Sequence, residues 1–286
     1  MTHSIAAPRR RAQRARWAAA GVLVLLVAAI LGPAIAPRSV TAMELERRLE
    51  APSLAHPLGL DELGRDVLSR LLAGARVSVT VGLVVVGIAG TLGTLLGVAA
   101  GAAGGRWDTA LMRAIDVFLA FPGILLAIAL VAVLGPALSH VVLALAAIGW
   151  VGYARLARGQ VLQLREQEYV LAARASGVGT ARLVLRHLLP NVLPLTVVQA
   201  SLGLAGAILA EASLSFLGLG IQPPTPSWGA MINAGRGHLL DAPHVTLFPG
   251  LAILFSVMSL NFLGDALVDR LDPRRAKDFE SRPQSR

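Results

Sequence analysis

The sequence predicts an all-α polytopic membrane protein with six transmembrane helices and both termini in the cytoplasm. Three observations lead there. Of 286 residues, 55% are hydrophobic and only 15% charged, and the mean hydropathy is +0.66, too apolar for a soluble domain of this length. Six apolar runs, at residues 17–36, 77–101, 114–134, 138–154, 191–221 and 248–268, are each long enough to cross the hydrocarbon layer as a helix. The segments joining them divide Lys and Arg unevenly, nineteen on one side and seven on the other, and the positive-inside rule puts the richer side in the cytoplasm.

Taken in order, a basic tail (residues 1–16, with Arg9, Arg10, Arg11, Arg14 and Arg16) precedes the first run. Ala34-Ile35-Ala36 has the form of a signal-peptidase site, but the run is longer than a signal h-region and Pro37 follows it, so an uncleaved anchor is expected. Residues 37–76 form a polar connector in which six arginines match six acids. Within it Leu63, Val67, Leu68, Leu71, Leu72 and Ala75 recur at helical spacing, which predicts an amphipathic helix on the membrane surface. Gly82, Gly87, Gly90, Gly93 and Gly97 in the second run allow close helix approach. Pro122 and Gly123 should kink the third.

Glu211 in the fifth run is costly in lipid. It sits about 30 Å along a helix from residue 191, near the outer interface, and two roles stay open: a gate or pathway group, or a structural pair with a polar backbone group. The loop at 221–232 carries Pro223, Pro224 and Pro226 and should be rigid and external, with Trp228 either an interfacial anchor or a receptor contact. In the sixth run Asn261, Asp265 and Asp269 share one helix face; Asn261 is a second gate or pathway candidate, and the acids should be paired or solvated. Residues 269–286 form a basic C-terminal tail.

Several classes of function are excluded or disfavoured. The formal net charge of +9 sits at the ends of apolar runs with few aromatics between, an arrangement of topology signals and not of a nucleic-acid interface. There is no cysteine, hence no disulfide, thiolate or Cys-ligated metal, and the six histidines form no metal or hydrolase motif. Lys277 is the only lysine and lies outside any G-x-x-x-x-G-K-[ST] sequence, so the chain has no Walker A loop and is not expected to be an enzyme. An ion-driven transporter would need ionisable groups at mid-membrane, which only Glu211 and Asp265 approach.

The most distinctive stretch is residues 168–194, EYVLAARASGVGTARLVLRHLLPNVLP, a charged insert between two apolar runs. Helix formers fill residues 168–176, Gly177 and Gly179 interrupt them, Thr180 can cap a second short helix, and Pro190 should stop that helix before the next run. One face carries Arg174, Arg182, Arg186 and His187, while Ala172, Ala173 and Ala175 form a small knob able to enter a groove on another protein. Topology alone would also account for a basic loop here.

Ala172, Ala173, Gly177, Leu189 and Pro190 stand at the spacing of the EAA loop, and the segment resembles that loop of ABC-importer permeases. The glutamate departs from the general pattern: Leu171 precedes the alanines, and Glu168 lies one turn earlier, as in the dipeptide and oligopeptide branch. HPLGLDELGRDVLSRLLAGAR (residues 56–76) and the last apolar block resemble C-type subunits of dipeptide, oligopeptide and nickel importers, so the resemblance covers residues 56–274. It implies a type I ABC-importer transmembrane domain in the bacterial inner membrane, with a permease core at 77–268 and a coupling loop at 155–190. It also implies a homologous B-type permease, two cytoplasmic ATPases that bind the ATP and Mg, and an extracytoplasmic solute-binding protein. Peptides are the implied cargo; nickel, glutathione and oligosaccharides are alternatives. Coupling would rest on Glu168, Ala172, Ala173, Arg174, Gly177, Arg182, Arg186, His187 and Pro190.

Overall fold

The structure, a computed structural model, describes residues 7–271; the ends of both basic tails, Lys277 included, lie outside them. In chain order the helices are α1 (Ala7–Ile35), α2 (Val67–Ala103), α3 (Gly105–Leu119), α4 (Gly123–Leu134), α5 (Leu138–Leu164), α6 (Glu168–Ala175), α7 (Thr180–Leu183), α8 (Leu189–Phe216), α9 (Trp228–Gly235) and α10 (His244–Leu271). Five helical stretches are long and apolar enough to cross a membrane, α7 and α8 together making one of them; α3 and α4 supply a sixth if the pair is one crossing.

Contacts along the helices fix their relative directions. Residues 93, 97 and 101 of α2 meet residues 150–153, 154 and 158–161 of α5 in rising order, so these two helices run parallel. Ser78 and Gly82 of α2 meet Glu211 and Leu204 of α8 in opposite order, so α8 runs against both. Close approach explains Gly93 and Gly97 of α2, where a side-chain carbon would run into the Trp150 or Ala154 carbonyl of α5, whereas Gly87 faces open space. Helix α1 lies against α2 and α10, with Gly32 on Leu72 and Gly21 on Ser259. Leu25, Ala29, Val67, Val79, Ile208 and Leu260 form a core shared by α1, α2, α8 and α10. The bundle therefore has two polar ends. One carries the connector and residues 217–243; the other carries residues 165–188.

Three local expectations need correction, and the expected kink is borne out. The amphipathic stretch at 63–75 is no separate surface helix: from Val67 it is the opening of the 37-residue α2, which runs through Arg76 without a break. Asp66 caps it by accepting from the Ser69 amide at 2.8 Å, and at about 55 Å the helix outreaches the bilayer. The expected kink at Pro122 and Gly123 is a bend of 81° between α3 and α4. Thr180 caps nothing, being the first residue of α7 after an N-cap at Gly179. Pro190 does not stop its helix: Val184–Leu188 forms a π turn, and Pro190 falls in the first turn of α8, so α7 runs on into α8. A proline ring clashes with the carbonyl four residues back in a regular helix, and the wider turn relieves that clash.

Trp228 is neither an interfacial anchor nor exposed for a receptor. It is 3% exposed, its ring packs on Gly74, and its indole Nε1 donates to the Leu71 carbonyl of α2 at 3.0 Å.

Candidate functional site

The coupling residues predicted from sequence fall on one continuous surface at the end of the bundle. Helix α6 begins at Glu168, whose carboxylate sits in the first turn where the helix dipole favours an anion. It ends at a left-handed residue, Gly177 (φ +78°). The Gly177 amide donates to the Arg174 carbonyl at 2.9 Å and the Val178 amide to the Ala173 carbonyl at 3.1 Å, the paired bonds of a Schellman cap. The glycine elbow expected from sequence is thus at Gly177; Gly179 has ordinary backbone geometry (φ −62°).

Three apolar side chains peg this surface to the bundle. Val170 of α6, Leu183 of α7 and Leu188 of the π turn are buried with Val98 of α2, Ala157 and Val161 of α5, and Val192 of α8. Leu183 and Leu188 reach the same cluster although five residues apart, because the turn between them is π. The Tyr169 and His187 rings meet at a centroid distance of 6.4 Å, joining the two limbs of the loop.

With the apolar pegs turned inward, the polar set turns outward. Glu168, Ala172, Arg174, Gly177, Arg182, Arg186 and Pro190 are exposed, and Ala173 and His187 are half-buried. Glu168, Arg174, Arg182 and Arg186 form no ion pair among the described residues. Tyr169, Leu171 and Leu185 are exposed beside them, so the surface mixes charge with apolar contact area. These three were missed in the sequence, where they read as ordinary members of helical runs. Beneath the loop, Arg158 of α5 forms a two-pronged ion pair with Asp108 of α3, its Nη2 donating at 2.7 Å.

The two gate or pathway candidates are not brought together. Glu211 is fully buried near the connector end, where its carboxylate accepts from the Ser78 hydroxyl of α2 at 2.9 Å and the Ser215 hydroxyl of α8 at 2.7 Å. Its partners are side chains, not the backbone group anticipated. Asn261 is exposed on α10, as are Asp265 and Asp269. No group of three metal-ligating side chains occurs among the described residues.

Comparison with known proteins places this geometry in context. Residues 93–277 match the family model described as binding-protein-dependent transport system inner membrane component. The chain is 46% identical over 266 residues, 93% of its length and 88% of the relative's, to the glutathione transport system permease protein GsiD of Escherichia coli O6:K15:H31 (strain 536). The same figures hold for GsiD of Shigella boydii serotype 4. It is 45% identical over 253 residues, 88% of its length and 85% of the relative's, to the probable D,D-dipeptide transport system permease protein DdpC of E. coli strain K12.

Proposed function

Since the chain belongs to the binding-protein-dependent inner membrane components and is a permease subunit of an ABC importer, we propose that it forms half of a peptide-translocating pore driven through residues 165–190. The observation that carries the coupling reading is the outward set of Glu168, Arg174, Arg182 and Arg186 around the Gly177 elbow, charged, unpaired among the described residues, and mounted on three buried pegs. Such a surface transmits force only as a rigid body, and the pegs and the Schellman cap supply the rigidity.

In this reading the loop end faces the cytoplasm and docks in a cleft of one of two ATPases, which bind ATP and Mg. The small faces of Ala172 and Ala173 enter the cleft, Glu168 and the arginines fix its register, and Tyr169, Leu171 and Leu185 supply apolar area. A homologous B-type permease completes the pore, and an extracytoplasmic solute-binding protein delivers cargo. Glutathione and D,D-dipeptides, named for the relatives, are both small peptides, which favours a peptide over nickel or an oligosaccharide.

The test is a mild-detergent pull-down of tagged chain from native membranes, with the Glu168→Arg variant alongside. Wild type should recover an ATPase and a second permease. The variant should keep the permease and lose about tenfold of the ATPase, the change expected when roughly 1.4 kcal/mol of docking is removed. Recovery without any ATPase in either sample would overturn the coupling reading.

A further inference from the structure

A groove of about 280 Å³ opens between α2, α4, α5 and α8, lined by Gly123, Gly149, Tyr153, Gln199, Gly203 and Gly206 among others, with no charged residue on its wall. Its volume falls just under the ~300–1,000 Å³ of complete small-molecule sites, as suits one wall of a pore closed by a second subunit.

Gln199 is the feature that needs explaining. It lies eight residues beyond Asn191 on α8, about 12 Å into the span, so its carboxamide sits within the hydrocarbon layer. The side chain is half-buried and has no hydrogen-bond partner among the described residues. A carboxamide offers two donors and an acceptor, and leaving them unmet in an apolar span is costly. Tyr153 holds the wall around it. The Tyr153 hydroxyl donates to the Gln199 backbone carbonyl at 3.5 Å, and its ring rests on Gly90. Gly203 is required there, because a side-chain carbon would strike the Tyr153 hydroxyl, whereas Gly206 faces open space.

We infer that Gln199 is a solute-contacting residue of the pore wall, where its carboxamide pairs with the backbone amides of a passing peptide. This rests on the permease reading above. An amide matches an amide in both donor and acceptor, and an uncharged wall passes peptides without sorting them by side-chain charge. Tyr153 is a positioning residue that sets the separation of α5 and α8.

The test uses the complete transporter in proteoliposomes. The chain has no cysteine, so Gly206→Cys introduces a single thiol in this subunit where the structure has room for it. A charged methanethiosulfonate reagent should label it, and labelling should change when ATP and vanadate hold the ATPases closed. Gln199→Leu should lower the maximal uptake of glutathione or D-alanyl-D-alanine about tenfold, roughly 1.4 kcal/mol of lost stabilisation. Receptor affinity and membrane level should be unchanged, and Gln199→Asn should recover part of the rate. Labelling only by a lipid-soluble maleimide, no labelling at all, or full uptake by Gln199→Leu would overturn the inference. Labelling needs no solute, so it separates failure of the groove assignment from failure of the peptide reading, which would appear as no uptake of either peptide by wild type.

Discussion

The two polar ends of the bundle are built on opposite plans. At the connector end a polar cluster is buried and its members are spent on one another: His56, Asp61, Arg65, Asp66 and Arg70 are each 5% exposed or less. His56 Nδ1 meets Asp66 at 3.0 Å, and Asp61 meets Arg65 at 2.7 Å and Arg70 at 3.3 Å. At the loop end Glu168, Arg174, Arg182 and Arg186 stand exposed, and the fold is held beneath them by Val170, Leu183 and Leu188. Buried pairs fix a shape because losing one partner strands the other, whereas exposed charges contribute little to folding and remain available to a partner. Substitutions at the first end should therefore cost stability, and those at the second should cost coupling.

The largest expected effect is at Gly177. Its surroundings are open, with nothing within 4 Å of an added side-chain carbon, so only the backbone angle of φ +78° restricts it. A β-branched residue avoids that region, and Gly177→Val should unwind the Schellman cap and rotate α7 away from α6. Uptake should fall to near background while the protein stays in the membrane with a melting temperature close to wild type. Gly179→Ala is the control, since Gly179 is equally open and has φ −62°; it should transport normally. Equal uptake by the two variants would remove the elbow from the coupling mechanism.

The second effect has the inverse profile. Asp66→Ala leaves the buried His56 Nδ1 without its partner and uncaps α2; a stranded buried polar group costs about 1–3 kcal/mol and a lost cap about 1 more. The variant should melt well below wild type in detergent, yet the molecules that remain folded should bind ATPase normally. Acid should reproduce part of the loss. Burial works against the charged form of Asp66, but the hydroxyl and amide of Ser69 and the His56 ring outweigh it and hold the carboxyl below its ordinary range. A depressed folded-state pKa stabilises fully above the ordinary carboxylate value and is lost as pH falls through the folded value. Wild-type melting should thus be insensitive to this group down to about pH 5 and decline below about pH 4, a component that Asp66→Ala should lack.

Much of the first-order architecture was legible because lipid forces long apolar runs, and the kink at Pro122 and the elbow at Gly177 follow from single residues with narrow backbone options. What escaped depends on distant partners or on local geometry that several sequences share. Leu63 to Ala75 has a true helical period, but periodicity does not say that the helix continues into the membrane. Pro190 reads as a stop unless the π turn before it is known. The hydroxyl of Ser78 that answers Glu211 lies 133 residues away, so the sequence left a gate group and a structural pair both open and could not name the side chains around the carboxylate. Gln199 drew no notice because one neutral polar residue in a long apolar run carries little signal until the groove around it is seen.

The smallest effect tests whether the connector end is as self-contained as its ion pairs imply. Trp228 gives up one hydrogen bond, to the Leu71 carbonyl, and some buried ring volume when changed to Phe. The expected cost is about 2 kcal/mol, read as a modest fall in melting temperature with uptake unchanged. The Leu71 carbonyl belongs to a helix that already supplies it a regular partner, so little is stranded. If Trp228→Phe instead kept its stability and lost uptake, α9 would have to move against α2 during transport. The connector end would then do mechanical work as well as hold its shape, and the division of labour between the two ends would fail where it now looks strictest.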